Sequence, residues 1–275
     1  MIGNTAVTQG GGLHFKGAQG ESSDTLVSQN SAGVTAGGLF LEFSLLTGDN
    51  FNLIDNTALY GGGSYCLGHL GFTLTNSEVS GNAAYEGGAL YLTFCSPVFA
   101  TVEVSGNSAL DSGAGISIQT GASFTADGMN FNGNSAEYNG GAIYIASFAG
   151  SMSVNNSIFD NNYAQVGAGI MSSGRDTYTL DQCTFQNNNA EDGGGVYWLY
   201  VPYVNSSLTY SGNVADHGPD QASGASYTEL TTLLPGSYSP ASAELFVYPM
   251  SVGIFDSYSQ LIVTDETTDV YAFSD

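Results

Sequence analysis

Apolar and polar positions alternate along this chain in short runs rather than at helical spacing. In Ala89-Leu90-Tyr91-Leu92 and Ala142-Ile143-Tyr144-Ile145 the large aliphatic residues stand two apart, the period of a strand with one buried face. A glycine pair precedes each run and rules out a helix continuing through it. Runs of this kind align along the chain. One column reads Leu13, Leu39, Tyr65, Leu90, Ile116, Ile143, Ile170, Val196, and two residues later comes Phe15, Leu41, Leu67, Leu92, Ile118, Ile145, Ser172, Trp198. These two columns share a face and predict the core. The column between them, His14, Phe40, Cys66, Tyr91, Ser117, Tyr144, Met171, Tyr197, points the other way.

A second marker keeps the same beat. Asn-x-Ala recurs at Asn4, Asn30, Asn56, Asn82, Asn107, Asn134, Asn162, Asn188 and Asn213, in steps of 25 to 28 residues. An apolar residue stands three positions before each: Met1, Val27, Leu53, Val79, Val104, Phe131, Phe159, Phe185 and Tyr210. A fixed period of this size means one unit stacked on copies of itself. Each repeat reads as strand, Asn corner, Gly corner, strand, turn. Stacked in register, about nine turns with strands ~4.8 Å apart make a parallel β-helix rod of roughly 40 Å. The nine asparagines then lie over one another, with their amides expected to bond along the stack and their backbones expected to take the left-handed turn of the corner. Leucine-rich repeats want Leu where Ala stands here, and the shorter periods of six-residue helices and calcium rolls are missing.

The expected all-β solenoid covers residues 1–230. Beyond Asn213, Asp216-His217-Gly218-Pro219-Asp220 replaces the glycine-pair strand and reads as the last turn and its cap. Residues 231–275 form a β-rich extension, either a cap or a truncated immunoglobulin-like module. Its candidate strands are Ser242 to Tyr248, Ser251 to Phe255, Gln260 to Thr264 and Asp269 to Phe273, with a turn at Asp256-Ser257-Tyr258-Ser259. The first repeat begins at once after Met1, so the chain is expected to be a fragment of a longer protein.

Composition narrows the chemistry. Twenty-five acidic residues face only two basic ones, Lys16 and Arg175, for a net charge of −23. Nucleic acid is thereby an unsuitable partner, and an anionic membrane would repel the chain. No segment approaches the ~20 apolar residues of a membrane span. Cys66, Cys95 and Cys183 fall in different repeats and are expected as free, partly buried thiols. Asn155 and Asn205 fit the glycosylation acceptor pattern.

Enzymes on β-helices act on polysaccharides, and two tests weigh against that here. Lys16 and Arg175 lie about six repeats and ~30 Å apart, so they share no site for a lyase. Hydrolysis needs facing carboxylates, and no repeat pairs a dense acidic cluster with a His. No catalytic residue is therefore assigned. Two features are candidates for binding. The outward aromatics Phe40, Tyr91, Tyr144 and Tyr197 suit a protein or sugar face. Glu86, Asp111 and Glu137, between Asn corner and Gly corner, are candidate cation ligands, with calcium or another cation expected to stabilise an otherwise cofactor-free fold.

Phe131-Asn132-Gly133-Asn134 with Gly140-Gly141-Ala142-Ile143, and Val79-Ser80-Gly81-Asn82 with Gly87-Gly88-Ala89-Leu90, resemble the repeats of polymorphic outer membrane proteins, best known from chlamydiae. Phe159-Asp160-Asn161-Asn162 and Phe185-Gln186-Asn187-Asn188 supply two more first halves, and the resemblance runs to about residue 216. It implies a right-handed parallel β-helix of the pectin-lyase-like kind, displayed on a cell surface or in the outer membrane. It also implies a noncatalytic adhesion or structural role against a host or neighbouring-cell protein or glycan. The alternative is a glycoside hydrolase or lyase whose site is incomplete in this chain.

Overall fold

A computed structural model describes residues 1–68, 71–174, 178–200, 207–230 and 252–262. The expectations placed on Arg175, Asn205, Ser242 to Tyr248, the end of Gln260 to Thr264 and Asp269 to Phe273 lie outside them. Every assigned element among the described residues is a strand. One sheet stacks nine parallel strands, from Leu13–Lys16 through Leu90–Thr93, Ile116–Ile118 and Ile143–Ile145 to Gln221–Ser223. Nine strands span eight repeat-to-repeat steps. A larger sheet contributes two segments to each turn, such as Phe72–Thr75 and Glu78–Ser80; in Gln19–Ser28 and Leu45–Ile54 the two merge into one long strand. The third wall is made of two-residue pieces just after the asparagine, such as Ala83–Ala84 and Ser108–Ala109.

Alternation fills the interior from both sides. Leu90 and Leu92, Ile116 and Ile118, and Ile143 and Ile145 point inward in register from the nine-stranded sheet. Facing them are Phe72, Phe99 and Phe124, whose rings meet edge to face, and Phe131, Phe159, Phe185 and Tyr210, whose rings stack. Each buried Leu, Ile or Phe contributes roughly 1.5–3 kcal/mol relative to exposure. No turn could bury this surface alone.

The asparagine stack forms as expected. Asn107 Nδ2 donates to Asn134 Oδ1 at 2.9 Å, and the Asn107 backbone N–H donates to the same oxygen at 3.2 Å. Its Nδ2 also donates to the Val79 carbonyl of the turn before, at 2.9 Å. The pattern repeats at every step from Asn4 to Asn213. Because a backbone N–H can only donate, it fixes which side-chain atom is the oxygen. At the last turn no further asparagine follows, and Asn213 Nδ2 donates to Asp220 Oδ1 at 3.1 Å.

The left-handed residue is not the asparagine. It is the residue before it: Gly3, Gln29, Asp55, Gly81, Gly106, Gly133, Asn161, Asn187 and Gly212 all have positive φ. The turn is made one residue early so that the asparagine itself can aim inward. A second left-handed position opens each strand of the nine-stranded sheet. At Gly87, φ is 67° and a Cβ would lie 2.7 Å from the Leu90 carbonyl oxygen. Ala36 is the single non-glycine there.

Register corrects one stretch of the sequence alignment. Ser64 and Cys66, not Tyr65 and Leu67, pair with the inward positions of Leu39 and Leu41, and Tyr65 joins the outward column beside Phe40 and Tyr91. Gly63 stands where Gly38 and Ala89 stand, so Ser64 takes the inward place of Leu39 and Leu90. Cys66 therefore faces the core and is bonded to Cys95, with Cα atoms 6.0 Å apart. The expectation of three free thiols fails for this pair. Cys183 alone is free, and burial pushes its thiol up to about 11.

The solenoid strand Gln221–Ser223 passes directly into Ala225–Leu230, which pairs antiparallel with Val252–Asp256. Antiparallel structure thus begins before residue 231. The turn expected at Asp256-Ser257-Tyr258-Ser259 is present, with Asp256 Oδ1 accepting from the backbone N–H groups of Tyr258 and Gln260. Asp256 Oδ2 accepts the Ser223 N–H at 3.1 Å and ties this hairpin to the last turn.

Asn107→Ala removes the acceptor for the buried Asn82 N–H. It should cost about 3 kcal/mol in denaturant unfolding, against less than about 1 kcal/mol for Asn4→Ala at the exposed end. Equal losses at the two positions would refute the ladder as a stabilising element. The disulfide closes residues 29 apart, so its reduction should cost roughly 3–4 kcal/mol. Thiol titration of the denatured, unreduced chain should find only Cys183, and reduction should release Cys66 and Cys95 as well.

Candidate functional site

The outward column of the nine-stranded sheet is the most distinctive surface. Alternation sends His14, Phe40, Tyr65, Tyr91, Ser117, Tyr144, Met171 and Tyr197 away from the core, directly above one another. Their rings touch along the stack. His14 and Phe40 are 4.7 Å apart, Phe40 and Tyr65 5.5 Å, and Tyr65 and Tyr91 5.0 Å and nearly parallel. Tyr60 leans over from the Gly corner to within 5.3 Å of the Tyr91 ring.

The four aromatics expected to bind do not stand alike. Phe40 is only 2 % exposed, held between His14 and Tyr65, and has no free face. Tyr91, Tyr144 and Tyr197 are half-buried. Burial is the main reason that their hydroxyls, and that of Tyr65, titrate above the usual tyrosine value. Tyr60 and Tyr65 belong to this surface and were missed: Tyr65 through the one-residue shift, Tyr60 because it lies outside the strand.

Glu86, Asp111 and Glu137 do not form one column. Glu86 and Asp111 stand four residues after their asparagines and Glu137 three, and the Asn-to-Gly interval is one shorter at Glu86, so Glu86 is directly before its glycine, Asp111 two before and Glu137 three before. Glu86 aligns with Tyr60, not with the other two acids. Its Oε1 accepts from Ser117 Oγ at 2.9 Å and from Gln119 Nε2 at 2.5 Å. Burial raises its carboxyl to about 7, and the like charge of Asp111 adds to the shift against the Ser117 hydrogen bond. Glu137 is exposed. Among the described residues no group of three or more His, Cys, Asp and Glu is placed to hold a metal ion.

Two histidines are paired with carboxylates. His217 is buried, with Nδ1 3.1 Å from Asp192 Oδ1 and Nε2 3.3 Å from Asp256 Oδ2. This links the last two turns to the terminal hairpin. At the other end His14 and Lys16 meet Glu42 at 3.3 and 2.8 Å. The hydrogen bond from Lys16 leads in holding the Glu42 carboxyl below its ordinary value.

A shallow polar groove of ≈ 480 Å³ follows the bend in the larger sheet, lined by Asn50, Asn52, Asn76, Glu78, Glu103 and Asn130. Glu78 and Glu103 are direct register partners on neighbouring strands. Their backbones are therefore ~4.8 Å apart. No His, Lys or Arg lines the groove.

Glu86 keeps its proton to higher pH in the folded chain than in the unfolded one. The folded state thus binds more protons between 4.5 and about 7. Its contribution to stability is greatest below that window and falls as pH rises through it. The stability of wild type relative to Glu86→Gln should drop by on the order of 2 kcal/mol from about pH 4 to about pH 8. A difference that stays flat would contradict the burial described here.

Two comparisons with known proteins returned nothing: no curated protein and no solved structure matches this chain. A family model described as the right handed beta helix region matches residues 59–229, well over half of the chain. The stacked parallel strands, the paired corners and the closed core agree with that description. This chain belongs to the right-handed β-helix family.

Proposed function

We propose that this is a noncatalytic cell-surface or extracellular protein, whose solenoid is a rigid scaffold for adhesion through the tyrosine-bearing face of its nine-stranded sheet. The observation that carries this reading is the run Tyr65–Tyr91–Tyr144–Tyr197 on one outer face, half-exposed and in register. Tyrosine gives large contact area with a polar tip at low entropic cost, which suits protein and sugar surfaces alike. The buried disulfide supports an oxidising compartment. The polymorphic-outer-membrane-type motifs support display at an outer membrane in a bacterial host. The partner in this reading is a protein or glycan of a host or neighbouring cell. Nucleic acid fits poorly with a net charge of −23. No helix among the described residues is long and apolar enough to cross a membrane.

The Glu78–Glu103 pair favours a second reading, a glycoside hydrolase, because retaining enzymes hold two carboxyls ~5 Å apart. Both readings face one experiment. The purified chain should bind intact cells or immobilised glycans and lose that binding on Tyr91→Ala with Tyr144→Ala. It should release no reducing ends from a polysaccharide panel. Reducing-end release abolished by Glu78→Gln or Glu103→Gln would overturn the adhesion reading.

A further inference from the structure

The outward column is interrupted once by a small residue between two tyrosines. Tyr91 and Tyr144 occupy successive turns on either side of Ser117. Two strand spacings put their backbones ~10 Å apart. Ser117 is fully buried and makes the floor of the notch. The Glu86 carboxyl reaches into this place from the Gly corner, fixed by Ser117 Oγ at 2.9 Å and by the Gln119 amide. Both hydrogen bonds go to Oε1. Among the described residues no basic side chain pairs with Glu86; Lys16 is spent on Glu42.

Two aromatic rings on either side of a carboxylate make a receptor for a cation. A cationic group within about 6 Å of a ring centroid is drawn to the ring face, more strongly when partly desolvated. The carboxylate adds direct charge pairing, and the net charge of −23 on the chain steers cations toward it. A neutral sugar would leave the half-buried carboxylate without an opposite charge.

We propose that the Tyr91–Ser117–Tyr144 notch, with Glu86 at its side, binds a lysine side chain presented by a protein partner. This rests on the adhesion reading and gives that surface its ligand chemistry. Because the Glu86 carboxyl sits at about 7 when the notch is empty, a bound ammonium should expel its proton and binding should tighten with rising pH. The other titratable groups facing Glu86 include Asp111 and the hydroxyls of Tyr65, Tyr85, Tyr91 and Tyr144. The tyrosines stay neutral across this range.

The test uses the chain as it stands and a short neutral peptide with a single lysine, alongside its Nε-acetylated twin, in about 0.15 M salt to suppress diffuse attraction. The lysine peptide should shift the ring resonances of Tyr91 and Tyr144 and the acetylated twin should not. Affinity should fall about fivefold in Glu86→Gln. It should rise about threefold between about pH 6 and about pH 8 in wild type but not in the variant. Glu21→Gln, remote on the other sheet, should change nothing. Equal binding of the twin, ring resonances that do not move, or equal affinity in Glu86→Gln would overturn the proposal. Cell binding by the wild-type chain separates the two ideas. If it binds cells but does not take the lysine peptide, the notch is refuted and the adhesion reading stands. If no cell binds yet the notch takes lysine, the adhesion reading falls instead.

Discussion

The backbone N–H of each corner asparagine is closed off from the sheets on either side, because the left-handed residue before it has just turned the chain. Its partner is the side-chain oxygen of the next asparagine, 2.9 to 3.2 Å away along the stack. A buried N–H without a partner costs ~1–3 kcal/mol, so each turn depends on the turn after it. The requirement also selects the residue. Aspartate has no donor for the preceding carbonyl, and glutamine is a methylene too long for a ~4.8 Å step. Alanines follow at the next wall. Ala109, Ala136 and Ala164 pack in a small cluster of their own, where a larger side chain would separate the turns.

The core divides its work around this fixed pitch. On the nine-stranded sheet, branched aliphatics repeat and interlock. On the opposite wall the residue three before each asparagine changes from Val27, Leu53, Val79 and Val104 to Phe131, Phe159, Phe185 and Tyr210. Phe131, Phe159 and Phe185 lie nearly parallel at 4.5 to 4.7 Å. That spacing is set by the strands and suits ring stacking. Toward the last turn Trp198 and Tyr178 stack as well. That one column thus changes from aliphatic to aromatic with no change of period.

Much of this was legible because stacking turns a three-dimensional contact into a sequence period. Asn-x-Ala gave the repeat, the pairing direction and the ladder without any structure. The failures share one physical cause: the intervals within a repeat are less regular than the repeat itself. The interval from corner asparagine to strand shortens from nine residues (Asn30 to Leu39) to eight (Asn56 to Ser64), and with a serine at the inward place that strand reads one residue late. Because strand faces alternate, Tyr65 went from core to surface and Cys66 from surface to core, which hid the disulfide. The Asn-to-Gly interval separates Glu86 from Asp111, and Glu137 stands one residue nearer its asparagine, so the three acids fall at three positions instead of one. Contacts between the last turns and the terminal hairpin, such as Asp192–His217–Asp256, have no period and left no such trace. The right-handed β-helix family covers residues 59–229 and so contains the notch and most of the ladder.

The asparagine amides all run in the same sense. From Asn4 to Asn188 each Nδ2 donates to the Oδ1 of the following asparagine, so the C=O bonds all point toward the preceding turn and the small dipoles of the stack add instead of cancelling. The rod therefore has an electrical head and tail, much as a helix does. Its positive end is at Asn213, and the anion found there is the carboxylate of Asp220, at 3.1 Å. In a chain with so few cations, that aspartate has the electrostatic complement it needs without a basic side chain. At Asn213 the polarity leaves a donor already neutralised within the chain. Two such rods could continue one another's ladder only head to tail.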